Sequence, residues 1–586
     1  MQARSTSPAD GPGTGQPGPD GGQPGPDGGQ PGPGGGQPGP DGGQPGPGGG
    51  QPGPDGGQPG PGGGQPGSDG PAAGQPGAAA PPSWPADAAT RIAAVRRAVR
   101  PLAPEVHRAL VAQNAPLAAS PARDAHLAQL ASGAAAVVTG QQVGLFLGPL
   151  YTIYKAASAI VVARALAAES GAPVVPIFWL QTEDHDLPEI ATCGVPGATR
   201  CEMIAAPVDA DNRISIAHRA LPDSITDSLE RLADALGDGP LARAHLERLA
   251  RHYRPGAPWA AAFAGVLAEL FAPEGLVVID PRDPGRSELA ALAAPIHARA
   301  LADAEPIAAA LTARAAELEA AHRPVPIHVR PRAPLSFFHP DGALGPRVRL
   351  DASDDGFTEV GVPRHHTRGE LLAALAADPR SFSTSALLRP ILQDTLLPTV
   401  AYVGGPSEVA YFGQLPPLYA HYGLAMPFAV PRGRFRVVDH RTAKLLARLG
   451  LTAADAELSE EALLARLRPP GLGGDDVTRR LLAPFLAAHA ELPVGPELAR
   501  ALTRTRASVE RAIGKLAHKV ERTRLYADAE RVDAVRRLRA MLAPDGAPQE
   551  RVLGLAGLAA RLGDRAVIER VLAAIDPFDG RLQELA

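Results

Sequence analysis

The chain reads as an α/β protein, a Rossmann-like parallel-sheet core with connecting insertions followed by a C-terminal helical coiled-coil arm. Three observations predict this. Short apolar runs at 134–138, 174–180, 275–280, 399–403 and 428–430 alternate with helical patterns, as a parallel sheet with crossover helices requires. Polar, glycine-bearing clusters follow those runs, and open parallel sheets bind ligands outside the carboxyl ends of their strands. From 442 to about 542 the pattern is almost wholly helical.

The first part of the 586-residue chain adds nothing to a core. Between 16 and 70 a seven-residue unit repeats, GQPGPDG or GQPGPGG, and glycine does not fall at every third position, which excludes collagen. Proline and glycine without large apolar residues bury too little surface to offset chain entropy, so 1–82 is expected to be a disordered tail. The core is expected at 83–440, a helical or coiled-coil arm at 441–545 and a C-terminal helical segment at 546–586. A net charge of −5 gives no reason to expect nucleic acid or a membrane surface. With no long apolar run and no basic-then-apolar start, a cytoplasmic protein is expected. Cys193 and Cys201 are too few for a disulfide framework or a four-ligand zinc site, and no metal ligand set is assigned.

In chain order, 87–99 and 105–114 are amphipathic helices leading to the first strand. The run 134–138 breaks into a polar turn at 139–144, and a helix from about 150 to 169 stops at Ser170-Gly171-Ala172-Pro173. The second run, 174–180, delivers the chain into Glu183-Asp184-His185-Asp186. Helices follow at 227–253, 259–271 and 287–321, around the strand at 275–280. A strand is expected at 324–329 and β character at 334–359. After the strand 399–403 comes the tight turn Gly404-Gly405-Pro406, with Ser407 as N-cap of a helix from Glu408. Residues 500–542 alternate charge with apolar positions, as in a solvent-facing helical hairpin, and 549–575 is a last helical block.

Three clusters can carry chemistry. Thr139-Gly140-Gln141-Gln142, with Gly144, lies between strand and helix, where free amides favour an anion and the two glutamines suit hydroxyls or an amide. A structural turn is the bland alternative. Glu183 to Asp186 set three carboxylates around His185, which suits a base, an ammonium site or a divalent cation, or else is a solvated acidic loop. Gly404, Gly405, Pro406 and Glu408 form a second strand-turn-helix with exposed amides, again an anion or carboxylate site, with Tyr411 and Gln414 on one helical face with Ser407 or Glu408, or else a turn needed for packing. Of 57 basic residues only Lys155, Lys444, Lys515 and Lys519 are lysine, so Lys155 on the crossover helix marks a place for a compact ammonium, if it is not chance. Arg389 and Arg432 suit substrate carboxylates or internal ion pairs. His252, His328 and His421 are taken as core or surface residues.

The segments VVTGQQVGLFLGPLYTIYKAASAI, PVVPIFWLQTEDHDLPEI and LLRPILQDTLLPTVAYVGGPSEVAYFGQL together resemble the bacillithiol biosynthesis cysteine-adding enzymes (BshC). PFAVPR, the helical arm and GAPQERVLGL also fit, so the resemblance runs from residue 84 to the C-terminus and leaves out the tail. It implies a coiled-coil arm that pairs two subunits and a ligase joining the cysteine carboxylate to the amine of glucosaminyl-malate. It also implies substrate or nucleotide contacts at Gln141, Gln142, Asp184, His185, Asp186, Gln393, Asp394, Gly404, Gly405, Pro406 and Glu408. In that reading Asp184 and Asp186 hold an ammonium or metal and His185 takes the proton of the attacking amine. ATP, with Mg possible, is expected from the reaction alone, since the chain has neither HIGH nor KMSKS. Where the family commonly has Ser-Pro-Asn, this chain has Ser383-Thr384-Ser385. Two other readings stay open: a different nucleotide-dependent amide ligase or nucleotidyl transferase, and a non-catalytic dimeric scaffold. Because the tail lies outside every motif, a chain starting at Ser83 is expected to keep full activity, and a truncated protein that folds but is inactive would refute this.

Overall fold

A computed structural model of the chain describes residues 84–208, 213–468, 474–492 and 495–585, and the heptapeptide tail lies outside the described residues. The five apolar runs become β1 (Ala135–Gln141), β2 (Val174–Leu180), β3 (Val277–Ile279), β4 (Thr399–Gly404) and β5 (Phe428–Pro431). They pair in the order β5-β4-β1-β2-β3, every pairing parallel. β2 is buried along its whole length and β1 nearly so, which is why both read as continuous apolar runs rather than alternating ones. The order reverses between β1 and β4, and that switch point is where the Rossmann arrangement opens a ligand crevice at the carboxyl ends of the strands.

The crossover helix α1 (Tyr151–Ser170) buries twelve of its twenty residues and ends at Gly171 in the left-handed region (φ 68°). It does not begin at the TGQQ turn. β1 continues through Gln141, and a buried 3-10 turn, Leu145–Leu147, stands between it and α1. The Phe146 ring meets Tyr253 edge-on at 4.9 Å, and the Trp259 indole donates to Val143 O at 2.6 Å. This loop plugs the core, and apolar Leu145-Phe146-Leu147 is the reason. Gly144 lets it double back, since a Cβ there would lie 2.1 Å from Gly148 O.

The β character at 334–359 is a separate antiparallel sheet in the order Phe382–Thr384, Ser336–Phe338, Val348–Ser353, Gly356–Glu359, His365–Thr367. The strand expected at 324–329 does not form. Pro324 and Pro326 have no N–H to donate, and Ile327 instead bonds the Gln414 side chain through both its amide and its carbonyl (3.2 and 2.8 Å). A hairpin of Thr192–Pro196 and Cys201–Ala205 was not foreseen.

The arm differs in its partners. Gly474–Ala490 packs along Pro496–Leu525 as a helical hairpin, whereas Ala529–Leu542 turns back and buries Val532, Val535, Leu538 and Met541. Asp528 caps that returning helix by accepting from Arg531 N at 3.0 Å. The final residues, Leu582–Leu585, pair in parallel with Arg434–Val437. Among the described residues no helix is long and apolar enough to cross a membrane.

Arg432, at the end of the sheet, is the internal ion pair anticipated as one of its two roles. It grips Glu550 through both terminal nitrogens (2.7 and 2.9 Å), and each side chain is 3% exposed. Removing Arg432 leaves buried Glu550 only its longer contact with Arg434 (3.3 Å), so Arg432→Ala is expected to lose about 3 kcal/mol in urea denaturation. Arg432→Met with Glu550→Leu should recover most of that loss.

Candidate active site at the switch point

One wall of the crevice is built around Lys155. Its ammonium, 3% exposed, reaches Gly140 O (2.8 Å), Gln141 Oε1 (2.7 Å) and Glu408 Oε2 (2.5 Å). Gln141 is held at its other end by Tyr151, to whose hydroxyl its Nε2 donates at 3.3 Å. Thr139 does not face the crevice: its hydroxyl, fully buried, donates to Val403 O at 2.8 Å and ties β1 to β4. Gly140 is needed for close approach, since a Cβ would stand 3.0 Å from Trp179 O.

The turn after β4 departs from expectation. Gly405, not Ser407, is the N-cap of α2 (Pro406–Phe412). Glu408 reaches back to accept from Gly405 N (2.8 Å) and from the Tyr402 hydroxyl (2.7 Å). The amide read as free for an anion is therefore already satisfied by the chain's own carboxylate, as a glutamate three residues after a cap often does. Burial would raise the Glu408 carboxyl, but the Lys155 charge and these hydrogen bonds hold it below its ordinary value.

Arg389, Gln393, Asp394 and Tyr411 come together behind that wall rather than in the crevice. Arg389 donates to Gln393 Oε1 (2.8 Å) and to the Tyr411 hydroxyl (3.1 Å), with its guanidinium 5.0 Å from the Tyr402 ring centre. Gln393 donates to Asp394 at 2.8 Å, and Tyr419 bonds the other carboxylate oxygen. Burial pushes the Asp394 carboxyl up to about 6. Gln414 has turned away to Ile327.

The facing wall carries Asp184 and His185, but the three carboxylates of the acidic cluster diverge. Glu183 is buried and accepts from the amide (3.1 Å) and hydroxyl of Thr384. Asp186 is exposed and caps the short helix Leu187–Ile190. Only Asp184 attends the imidazole. It lies 3.5 Å from His185 Nδ1, and it accepts from His185 N (2.8 Å), Arg347 (3.2 Å) and Gln142 Nε2 (2.9 Å). Burial works to raise the Asp184 carboxyl. Hydrogen bonding to His185 and the Arg347 charge win, holding it well below the usual carboxylate range. Both protein contacts of the ring are on Nδ1, so among the described residues His185 Nε2 has no protein partner.

Arg347 is the residue sequence reasoning missed. It enters from the antiparallel sheet, 3.7 Å over the Phe337 ring centre, and donates to Ser383 Oγ (3.2 Å) and Thr384 O (2.6 Å). Nothing local marks it, because its partners lie 163 and 36 residues away. Ser385, where the family commonly has Asn, accepts from Leu388 N at 3.3 Å and so closes the turn before the helix Arg389–Leu396. Cys193 is buried, its thiol pushed up by burial to about 12, and neither cysteine is bridged. Among the described residues no three His, Cys, Asp or Glu side chains are grouped to hold a metal.

The family model described as Bacillithiol biosynthesis BshC, N-terminal Rossmann-like domain, matches residues 85–433. The model described as Bacillithiol biosynthesis BshC, C-terminal coiled-coil domain, matches residues 435–585. A protein of Koribacter versatilis (strain Ellin345), named "Putative cysteine ligase BshC", is 36% identical over 472 residues, covering 78% of this chain and 85% of its own. Proteins of the same name are 36% identical over 379 residues in Salinibacter ruber (64% of this chain, 68% of that one) and 34% over 445 in Solibacter usitatus (74% and 80%). The two domain models account for nearly all of the sequence beyond the tail, and the chain belongs to the BshC family of bacillithiol biosynthesis.

Proposed function

We propose that the chain is a ligase that forms an amide between the carboxyl group of L-cysteine and the amine of glucosaminyl-malate, the cysteine-adding step of bacillithiol formation. The observation that carries this reading is the Asp184–His185 pair at the end of β2, with no protein partner on Nε2 among the described residues, set beside Gln141 and Gln142 at the end of neighbouring β1. An amine attacking an activated carboxyl must lose a proton, and a positioned imidazole contributes about 10²–10⁴-fold to such a transfer. A base at Nε2 needs the tautomer with its proton on Nδ1 toward Asp184 (3.5 Å), Arg347 Nη1, 3.4 Å from the same nitrogen, being then spent on the carboxylate, which stabilises the imidazolium that forms. Arg347 keeps Asp184 ionised for that task. Gln142 has spent its N–H groups on Asp184 and Glu189 (2.9 Å each), so its carbonyl oxygen remains to accept from a sugar hydroxyl or the cysteine ammonium. Asp186, exposed and turned to its own helix, has no part in this mechanism.

Amide formation from a free carboxylate needs an activating co-reactant, and ATP, with Mg as its counter-ion, is the proposed source. The turn after β4 does not fit a phosphate chain. Gly405 N and Lys155 are both committed to Glu408, and no step is derived through the nucleotide. Pairing of two subunits through the arm is proposed as well: Leu481, Leu498 and Leu516 of the hairpin are 44–57% exposed, apolar surface that a second arm would cover. A cytoplasmic location accords with these soluble substrates.

The test begins with mass spectrometry of low-molecular-weight thiols in the source cell with and without the gene. Loss of bacillithiol with accumulation of glucosaminyl-malate is expected. In complementation, Asp184→Asn and His185→Ala are expected to lower product formation by about 10²–10⁴-fold. Wild-type levels from either variant would remove these residues from the reaction. Exchange of labelled pyrophosphate into ATP that depends on cysteine would support adenylation. The same exchange with another amino acid would favour a different amide ligase.

A further inference from the structure

Beyond Glu183 lies a narrow cavity of about 20 Å³ that the proposed reaction leaves unused, lined by Glu183, His218, Arg282, Asp283, Arg286 and Arg380. It has room for one or two water-sized groups, enough for the head of a carboxylate. Its charges are unevenly matched. Arg282 is 7% exposed, and its terminal nitrogens meet only neutral partners: Phe382 O (2.9 Å), Arg380 O (3.0 Å), Ala343 O (3.2 Å) and His339 Nε2 (3.1 Å). Burial lowers its pKa to about 10, so it is still a cation at neutral pH.

Three nitrogens there are buried with no hydrogen-bond partner among the described residues: Arg282 Nε, Arg286 Nε and His218 Nε2. Buried donors are rarely left this way, and three in one cavity call for an acceptor. Burial, with the charges of Arg282 and Arg380, lowers His218 to about 4, which leaves a neutral ring with one N–H to give. The acids at this cavity already have hydrogen-bond partners, although the Glu183 charge still acts on Arg282 and supports its charged form. Glu183 takes Thr384, Asp283 takes Gly285 N (2.9 Å), and Arg380 is paired with Asp378 (2.9 Å). Asp280, which accepts from Thr182 and from Arg282 N, is pushed up to about 7 by burial.

We propose that this cavity is a carboxylate-binding subsite in which Arg282, Arg286 and His218 receive a carboxylate of the acceptor substrate. The proposal rests on the reaction above for the identity of that acceptor, a sugar amine carrying a dicarboxylic acid. Glu183, in the cavity wall, is the neighbour of Asp184 and His185 in the chain. In the proposed mode the anchored molecule extends along the ends of β3 and β2 with its amine toward His185. One carboxylate enters the cavity, where half-buried Arg286 joins Arg282 and His218 in binding it.

Arg286→Gln is the deciding variant: no side-chain hydrogen bond of Arg286 is seen among the described residues, so the fold should survive its loss, and an unchanged Tm checks this. The full chain is assayed with glucosaminyl-malate and with methyl glucosaminide, the same amine without carboxylates. The ratio of their kcat/KM values is expected to fall about thirtyfold in the variant, through KM. An unchanged ratio overturns the subsite while leaving the reaction standing. If neither acceptor is turned over, L-malate is titrated into both proteins and followed by calorimetry. Binding to the wild type that weakens about tenfold or more in Arg286→Gln keeps the subsite and removes the reaction. Equal binding, or none, removes the subsite.

Discussion

A single buried ammonium holds the crevice in shape. Lys155 has three N–H donors and meets three acceptors, one each from the backbone of β1, the side chain of Gln141 and the first turn of α2. Leaving any of them unmade would cost far more than a surface hydrogen bond, because both the charge and its acceptors are out of water. The separation of β1 and β4 at the switch point is therefore fixed from inside. A guanidinium, planar and forked, cannot point three donors at acceptors converging on one atom. That accounts for a lysine here in a chain that otherwise prefers arginine.

From this constraint the two walls take different characters. The Lys155 wall is internally satisfied: Glu408 is spent on Lys155, Gly405 and Tyr402, and the Arg389 network stands behind it. It positions Gln141, and the Arg389 guanidinium behind it is spent on Gln393 and Tyr411. The end of β2 keeps an imidazole nitrogen available. Asp184 is saturated by Arg347, Gln142 and the His185 amide, which leaves the imidazole with one nitrogen toward the crevice. The antiparallel sheet is what makes this possible, since it delivers Arg347 and the Thr384 that holds Glu183. In this fold the insertion completes the site that the parallel sheet only begins.

What the sequence tells about this arrangement follows from how local each signal is. The five strands are legible because burial on both faces writes them as unbroken apolar runs. The crossover helix is legible through its stop at Gly171. The cap at Gly405 is legible too, in a glutamate three residues on, yet a Gly-Gly-Pro turn invites the anion reading instead. The arm is misjudged at one end because 529–542 carries charge like its neighbour, although Val532, Val535 and Leu538 mark a stripe that needs a core. Arg347 and the Gln142–Asp184 contact are invisible locally. They join residues 163 and 42 apart, and only the folded chain brings them within hydrogen-bond reach.

The boundary between the two family models falls beside residue 434, yet the structure does not loosen there. Gln549 bonds Val437 through both its amide groups (2.8 and 3.0 Å), Glu550 grips Arg432, and Leu553 O accepts from Leu150 N at 2.7 Å. Gly554 N donates to Gly194 O at 2.8 Å, and a Cβ at Gly554 would stand 2.3 Å from Cys193 Sγ. The QERVLG segment therefore has a bonding or packing reason for most of its residues, which explains how so short a string carries a family resemblance. Its contacts also lead back to the crevice. Arg432 lies 5.6 Å from the Tyr151 ring centre, and Tyr151 steadies Gln141. A helical domain fixed this way is part of the wall that supports the crevice, so the sheet and the C-terminal helices have to be understood as one body.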